Sequence, residues 1–350
     1  MRFLVLSDIH LHEWAYGSKL VDGRNSRLEQ QINAIQQCVK HCQSSGITSA
    51  IVTGDIYHTS TITAGVSEGS YRAFRAFADA GIHLTIVPGN HDQATRSGEL
   101  DALAWFSPFA TVVGRCHEVL HSIGDVQAEC IPFTHDRDKL RRRIDELQNG
   151  TRLLFMHQGV SGVEINSKGF TLNEALSPDM IPDSIACFTG HYHSAKCVKP
   201  NLVIPGSLTQ LNWGDKNEHR GWMDVELQDN GNLEIVHNEA AASKFVELTS
   251  LEDLTQVSGN FIRLMTTENA PSFVEDAVLQ LNKAGAESVE VKQIVQIDTH
   301  LDEVKTQGFN SLNEIIYAFA NSKVRSGVID EYDLSVGDQL LKGNYQAPDV

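Results

Sequence analysis

The sequence predicts an α/β protein in which strands alternate with helices over residues 1–240. Short apolar runs are separated by stretches that carry apolar residues at helical spacing, and this alternation is typical of layered α/β folds. Gly46 and Gly81 follow the first two helical stretches and mark their ends. A strand–helix–strand pattern beyond residue 240 predicts a second, smaller domain.

The elements of the first domain follow one another in a regular order. Helices are predicted over residues 27–42, 71–80, 100–106 and 139–147. Strands are predicted at residues 3–6, 50–52, 84–87, 111–113, 152–156, 185–189, 201–206 and 222–227. The Asn-Gly pair at 230–231 predicts the turn of a late hairpin.

Two further segments are predicted after the first domain. Residues 241–305 read as a small capping domain, in which Pro271 suits the first turn of a helix over 271–283. Residues 306–350 read as a helical segment that begins with a capping box. Its apolar residues at positions i, i+3, i+4 and i+7 are Leu312, Ile315, Ile316 and Phe319. This stripe packs either on its own chain or on a partner, and we expect a partner.

The composition is that of an ordinary globular protein. The chain has 350 residues, of which 41% are hydrophobic, so two or three domains are expected. No run nears the ~18–20 apolar residues of a membrane helix, and the apolar stretch near Met1 is too short for a signal peptide. The six cysteines include no Cys-x-x-Cys pair, and we expect reduced thiols. We therefore expect a cytoplasmic protein that does not enter a membrane.

The formal net charge of −17 bounds the partners. A free-standing, tight nucleic-acid clamp would carry basic patches, so the charge argues against one. It does not exclude a nuclease, because bound divalent cations add positive charge locally. The one dense basic run lies at residues 137–143 and includes Arg141, Arg142 and Arg143. It is either a solvated helix face or a contact to phosphates.

Five apolar runs each end on side chains that bind metals. In chain order these are Asp8 and His10, Asp55, Asn90, His157, and His191 with His193. Functional loops gather at the carboxyl ends of strands in α/β sheets, so we expect these side chains to converge. Each short motif alone is weak, but the ordered set is hard to explain by packing. Nitrogen and oxygen ligands without thiolate favour Mn²⁺, Fe²⁺ or Zn²⁺, and two such ions about 3.5–4 Å apart suit phosphoester cleavage.

The ordered motifs also carry a family resemblance. They are Asp8-x-His10, Gly54-Asp55, Gly89-Asn90-His91-Asp92, His157 and Gly190-His191-x-His193. This order resembles the calcineurin-like metallophosphoesterase superfamily. The extension of the second motif to His58, together with Pro205-Gly206-Ser207-Leu208, Trp213-Gly214-Asp215, Arg24 and Arg27, is similar to SbcD-type double-strand-break repair nucleases. The resemblance covers about residues 1–225, and the length of the chain resembles compact phage members.

The resemblance implies a two-layered sheet sandwich flanked by helices, with the capping domain after it. It implies two divalent metal ions, Mn²⁺ with Mg²⁺ as the alternative. One ion is expected on Asp8, His10 and His193 and the other on Asn90, His157 and His191, with Asp55 bridging. His91 matches the position that protonates the leaving oxygen. His58 matches a second histidine on the substrate side, although packing near the sheet edge remains open for it.

These features give the hypothesis of a metal-dependent DNA nuclease, exonuclease or endonuclease, in DNA end processing, recombination and repair. The resemblance further implies a homodimer that works with an SbcC-type coiled-coil ATPase, in the host cytoplasm if the protein is phage-encoded. Two alternatives remain: a small-molecule or phosphoprotein phosphoesterase of the same superfamily, and a catalytically silent scaffold for an ATPase. The complete ligand set argues against the scaffold. His12 and the other histidines receive no role.

Overall fold

The computed structural model describes residues 1–114, 120–164, 171 and 174–294. Within them, Met1–Gln293 forms one compact unit. The predicted helical segment 306–350 lies outside the described residues, and so does its stripe of Leu312, Ile315, Ile316 and Phe319. None of the helices in the described part of the chain combines the length and apolar character that a membrane crossing requires.

Strands and helices alternate along the described chain. The strands are β1 (Arg2–Leu6), β2 (Leu20–Val21), β3 (Arg24–Asn25), β4 (Ser49–Val52), β5 (His83–Ile86), β6 (Thr111–Val112), β7 (Leu120–Ile123), β8 (Val126–Ile131), β9 (Leu153–His157), β10 (Ala186–Gly190), β11 (Lys196–Lys199), β12 (Leu202–Ile204), β13 (Gly221–Leu227), β14 (Leu233–Glu239), β15 (Phe245–Leu248), β16 (Phe261–Thr266) and β17 (Ser288–Gln293). The α-helices are α1 (Ser26–Ser45), α2 (Ala64–Asp79), α3 (Arg137–Asp145) and α4 (Pro271–Lys283). Short 3₁₀ turns span Ala104–Phe106, Pro178–Met180 and Trp213–Asp215.

Two six-stranded sheets stack face to face to form the main layer pair. The first has the order β14-β13-β1-β4-β5-β6 and the second the order β11-β12-β10-β9-β8-β7. Phe3 of β1 meets Phe155 of β9 and Phe188 of β10 edge-on, with ring centroids 5.8 Å and 5.9 Å apart. Aliphatic side chains of both inner faces surround these rings in one buried cluster. The predicted two-layered sandwich is therefore confirmed.

Helices cover the outer faces of both sheets. On the first sheet, Ile32 and Ile35 of α1 and Phe74 of α2 pack against the alternate residues Leu4 and Leu6 of β1. On the second, α3 packs against the outer face through apolar side chains that include its buried Leu140 and Ile144. Because β1, β4, β5, β9 and β10 are covered on both sides, their sequences read as largely continuous apolar runs. That is why the sequence revealed these strands.

The direction of the strands decides where the functional loops meet. Strands β1, β4 and β5 run parallel in the first sheet, and β9 and β10 run parallel in the second. Each of these strands ends on one of the predicted ligands or is followed by one, and His157 is the last residue of β9. Both sheets thus deliver their carboxyl ends, and the motifs after them, to one edge of the sandwich.

A small parallel sheet, β15-β16-β17, follows the sandwich. Helix α4 covers one face of it, burying Ala277 and Leu281 against Ile262 and Leu264. This strand–helix–strand unit is the one predicted from residues 261–295. The boundary at residue 240 remains a prediction.

One predicted helix is wrong. Residues 100–106 were expected to be helical, but only Ala104–Phe106 forms a short 3₁₀ turn. Ahead of it, the backbone folds back on the loop after β5, with hydrogen bonds from Ala94 N to Leu100 O and from Ala102 N to Asp92 O. The first of these bonds uses the Leu100 carbonyl, which a helix would need as an acceptor for its own hydrogen bonds.

Candidate metal centre

The segments that leave the strand ends adopt an uncommon backbone conformation. Four residues in these segments have positive φ angles, in the left-handed region that residues other than glycine seldom occupy. They are Asp8 at 49°, His10 at 51°, Asp55 at 53° and His191 at 95°. Such a residue costs on the order of 1–3 kcal/mol and persists only where its surroundings hold it. Left-handed residues that cluster at one edge of a sandwich therefore indicate a functional site.

Backbone hydrogen bonds hold two of these segments together beyond the strands. Asp8 N donates to Gly54 O at 3.0 Å, His10 N to Asp55 O at 3.0 Å, and Leu11 N to Ile56 O at 2.8 Å. The segments after β1 and β4 thus continue side by side past the last sheet residues. This pairing sets the side chains of Asp8, His10 and Asp55 against each other.

Asp8, His10 and His193 form the first group of potential ligands. Their ligand atoms all lie within 4.8 Å of one another. The Nε2 atoms of His10 and His193 are 3.2 Å apart, and His10 Nε2 is 4.0 Å from Asp8 Oδ1. Two imidazole nitrogens and a carboxylate that face one point can hold a divalent cation. The structure brings together the three residues that the resemblance places on one ion.

Asn90, His157 and His191 form the second group. Asn90 Oδ1 lies 3.1 Å from His157 Nε2 and 3.0 Å from His191 Nδ1. His157 Nδ1 donates to the carbonyl of Thr53 at 2.7 Å, so Nε2 is the ring nitrogen that faces this point and can offer its lone pair once it has lost its proton. An oxygen acceptor and a nitrogen lone pair that face each other need a positive charge between them. The donor set therefore fits a cation.

Asp55 lies between the two groups. Its Oδ2 is 3.7 Å from His10 Nε2 in the first group and 3.3 Å from His157 Nε2 in the second. Its Oδ1 accepts the backbone N–H of His91 at 2.9 Å. Burial opposes ionisation of Asp55, but His157 and His10 outweigh it and hold the pKa of the carboxyl below its usual range. A charged carboxylate in this place can bridge two ions.

The imidazoles respond to the same buried charges. Burial disfavours the charged form of His157, but Asp55 and Asp8 outweigh it and raise its pKa to about 9. Burial and the neighbouring His157 lower the pKa of His191 to about 4. The carboxylates thus favour positive charge at His157, and a metal ion there would take the place of that proton.

Glycines let the segments approach this closely. A side chain on Gly89 would collide with the carboxylate and backbone of Asp55, and one on Gly54 would collide with the ring of His157. Gly54 also has a φ of 95°, where a side chain is strained. The glycines before Asp55 and Asn90 are therefore required by space as well as by backbone shape.

His91 and His58 line the rim beside Asp55. His91 Nδ1 donates to the backbone carbonyl of His58 at 2.7 Å, which leaves Nε2 free for another partner. The two rings stack with centroids 5.6 Å apart, and His58 also lies against Trp14 at 4.6 Å. His91 thus lies next to the proposed ligands, and with His10 and His58 it forms a further group whose ligand atoms lie within 4.8 Å of one another.

Sequence reasoning missed several residues that support the site. Asp92 is fully buried and accepts from Tyr57 N at 3.0 Å and Gly89 N at 2.9 Å, which ties the loop after β5 to the loop after β4. Arg220 donates to the carbonyl of His193 and to Asp215. Asp92 stands in the quoted Gly-Asn-His-Asp motif, where its position was a usable signal. Arg220 lies far from every ligand in sequence and had none.

The basic run divides between solvent and interior. Arg141 and Arg142 of α3 are exposed, whereas Arg143 is buried with 5% of its surface accessible. Helical geometry turns position 143 toward the sheet, beside the buried Leu140 and Ile144. The prediction that all three arginines are available to phosphates is therefore wrong for Arg143.

Comparison with known proteins defines the class. Residues 1–195 match the family model of the calcineurin-like phosphoesterases, and the chain belongs to this family. The family uses divalent metal ions, in agreement with the ligand groups described above.

Individual relatives are distant. A DNA double-strand break repair protein Mre11 from Methanocaldococcus jannaschii is 22% identical over 169 residues, which cover 46% of this chain and 44% of that protein. The match to a dimetal phosphatase from Danio rerio covers 65% of this chain and 93% of the phosphatase chain, with 10% sequence identity and a TM-score of 0.39. The match to GAP50 from Plasmodium, described as the anchor in the inner membrane complex, covers 85% of this chain and 98% of the GAP50 chain. The sequence identity is 13% and the TM-score is 0.41.

The position of Asp55 predicts an unequal loss of metal in two variants. Asp55→Ala removes the carboxylate that faces both groups, so the purified protein should hold less metal than His10→Ala, which disturbs one group. Elemental analysis of both variants, each dialysed against the same Mn²⁺ concentration, measures this. Full metal content in Asp55→Ala would show that the carboxylate bridges nothing.

Proposed function

We propose that this protein is a metal-dependent phosphodiesterase that cleaves DNA. The observation that carries the proposal is the convergence of carboxylate, amide and imidazole ligands from five strand ends at one edge of the sandwich. The set is Asp8, His10, Asp55, Asn90, His157, His191 and His193. We expect Mn²⁺ at these ligands, with Mg²⁺ as the alternative, because the set contains carboxylate and amide oxygens beside the imidazole nitrogens and no thiolate. When bound, the ions neutralise phosphate charge and activate water for attack.

The residues of the chain supply orientation and a proton. His91 stands beside Asp55, with its backbone N–H on Asp55 Oδ1 and its Nδ1 proton on the carbonyl of His58. Only Nε2 can therefore deliver a proton to the oxygen that leaves when the P–O bond breaks. The ring of His58 stacks on His91 and completes the rim on the substrate side. This arrangement supports the proposal that His91 is the general acid.

Two observations favour DNA over other phosphoesters. The relative from Methanocaldococcus jannaschii is a DNA double-strand break repair protein. The ring of Phe133, which precedes α3 by a few residues, stacks on His191 with centroids 5.8 Å apart. The helix that exposes Arg141 and Arg142 therefore begins close to the metal centre. A DNA backbone bound at the centre can extend toward these arginines.

The acidity of the chain favours a second candidate. At a formal net charge of −17, a small phosphodiester or a phosphoprotein is an easier substrate than DNA. Assays on linear and hairpin DNA and on bis(p-nitrophenyl) phosphate, with Mn²⁺ or Mg²⁺, separate the two. Hydrolysis of the small ester without DNA cleavage, with and without an ATPase partner, would favour the second candidate.

Partners form the remaining part of the proposal. We expect a homodimer that works with an SbcC-type coiled-coil ATPase in DNA end processing, recombination and repair. The apolar stripe of residues 312–319 is the proposed binding element, in the manner of a helix in a groove. An ATPase partner would also supply DNA affinity that an acidic chain lacks.

Loss of the proposed acid should slow cleavage without loss of metal. His91→Ala should retain its metal ions and its fold, yet cleave DNA about 10²–10⁴-fold more slowly because no group donates the proton. Cleavage rates and elemental analysis on the same preparation measure both effects. His83→Ala, which changes an exposed histidine at the opposite end of β5, is the matched control. Loss of metal from His91→Ala would make His91 structural instead.

Removal of the exposed arginines should weaken DNA binding irrespective of sequence. Replacement of Arg141 and Arg142 by Ala removes two proposed phosphate contacts. The negative slope of log affinity against log salt concentration should therefore become shallower by about 2. The control replaces Lys40 on α1 and Arg75 on α2, which removes the same charge from the far side of the first sheet. Binding isotherms at several salt concentrations compare the two variants. An equal loss of DNA affinity in the two variants would mean that net charge alone causes the effect.

Charge on the C-terminal stripe should separate the ATPase from the nuclease. Ile316→Asp and Phe319→Asp should abolish co-purification with the ATPase, because an apolar stripe cannot be buried once charged. The full-length variant should still hydrolyse a small phosphodiester, since no proposed ligand lies in that segment. Leu279→Asp, on the exposed side of α4, is the control for a new surface charge. Unfolding of the variant would place the stripe in the core of its own chain.

A further inference from the structure

A buried glutamine on α1 forms hydrogen bonds to the segment that carries the proposed ligands Asp8 and His10. Gln31 of α1 is 4% exposed and has an amide that meets only backbone groups. Its Nε2 donates to Ile9 O at 2.8 Å and to His10 O at 3.0 Å, and its Oε1 accepts from His12 N at 3.3 Å. Both amide protons and the amide oxygen are thus used on residues 9–12.

The gripped segment is the one with strained backbone. Asp8 and His10 are left-handed, with φ angles of 49° and 51°. On one side, the N–H groups of Asp8 and His10 bind the segment after β4. On the other side, the carbonyls of Ile9 and His10 meet Gln31. The segment is therefore held by hydrogen bonds on two sides, to the segment after β4 and to α1. Gln31 provides the bonds from α1.

The orientation of the His10 ring depends on these hydrogen bonds to its backbone. A histidine that binds metal usually donates its second nitrogen to an outer partner, which fixes the ring. Within the described residues, His10 Nδ1 is buried and has no hydrogen-bond partner. In that part of the chain, no hydrogen bond from Nδ1 fixes the direction of the ring, so the position of the His10 backbone contributes to it.

We infer that Gln31 is a positioning residue that sets the metal affinity of the group formed by Asp8, His10 and His193. This inference rests on the proposed function, because it requires that the group binds an ion. The hydrogen bonds of Gln31 keep the left-handed backbone in place before the metal arrives. Without them, metal binding must itself impose that conformation, and affinity falls.

The test is Mn²⁺ binding to the full-length protein. Gln31→Met keeps the size of the side chain and removes all three hydrogen bonds. Calorimetry should show one Mn²⁺ bound about 10- to 100-fold more weakly, as for other outer partners of metal ligands, with the second ion changed by less than about 3-fold. The Mn²⁺ concentration for half-maximal activity should rise by the same factor, while the rate at saturating Mn²⁺ changes less than about 2-fold.

A second variant separates hydrogen bonding from charge. Gln31→Glu keeps the shape and adds a negative charge, which on Coulombic grounds strengthens cation binding. It also replaces the Nε2 donor by an oxygen that faces the carbonyls of Ile9 and His10. Weaker Mn²⁺ binding in Gln31→Glu supports the positioning role, and tighter binding overturns it.

A third variant separates positioning from general stability. Ile35→Val, one helical turn further along α1, creates a small defect in the same buried face and should leave Mn²⁺ affinity unchanged while lowering the unfolding midpoint. Equal weakening of both ions in Gln31→Met and Ile35→Val would overturn the inference, as would wild-type affinity in Gln31→Met. A wild-type protein that binds no Mn²⁺ would instead overturn the proposed metal centre, and this role with it.

Discussion

The structure depends on holding left-handed backbone at the ends of strands from two sheets. Asp8, His10 and Asp55 reach each other only because their main chains turn in a direction that side chains disfavour. The free energy for this comes from the sandwich, whose inner faces and outer helices fix the strands that lead into the turns. The fold and the site are thus linked: a looser sandwich would let the turns relax and the ligands separate.

Buried charge is the second constraint, and it allows an acidic chain of a phosphoesterase family to hold cations at one edge of the sandwich. The carboxylates of Asp8 and Asp55 are almost fully buried, and both lie against imidazoles. Cations taken up there are surrounded by low-dielectric walls, so their field is felt strongly at the rim. The sign of the potential at the centre is therefore set by these few groups and not by the net charge.

The sequence predicted the strands that lead to ligands, and the convergence of those ligands, because both leave local signals. Apolar runs covered on two faces are continuous, and each ligand follows its run within a few residues. Arg143 was assigned to the wrong side because a run of like charges hides which position faces the sheet. Residues 100–106 were predicted to be helical because their sequence pattern does not show that Leu100 and Ala102 bond to the loop at residues 92–94. Gln31 and Arg220 act on partners far away in the chain, and no local pattern marks such residues.

The hydrogen bond from His91 to the carbonyl of His58 has a consequence for variation at position 58. The acceptor belongs to the main chain, so every amino acid placed there retains it, provided that the loop keeps its path. The imidazole of His58, in contrast, is lost with any exchange. Position 58 therefore carries two separable contributions: one is immune to substitution and orients its neighbour, and the other is open to selection. Descendants of such a protein can change the side chain at the rim without losing the hydrogen bond that orients His91.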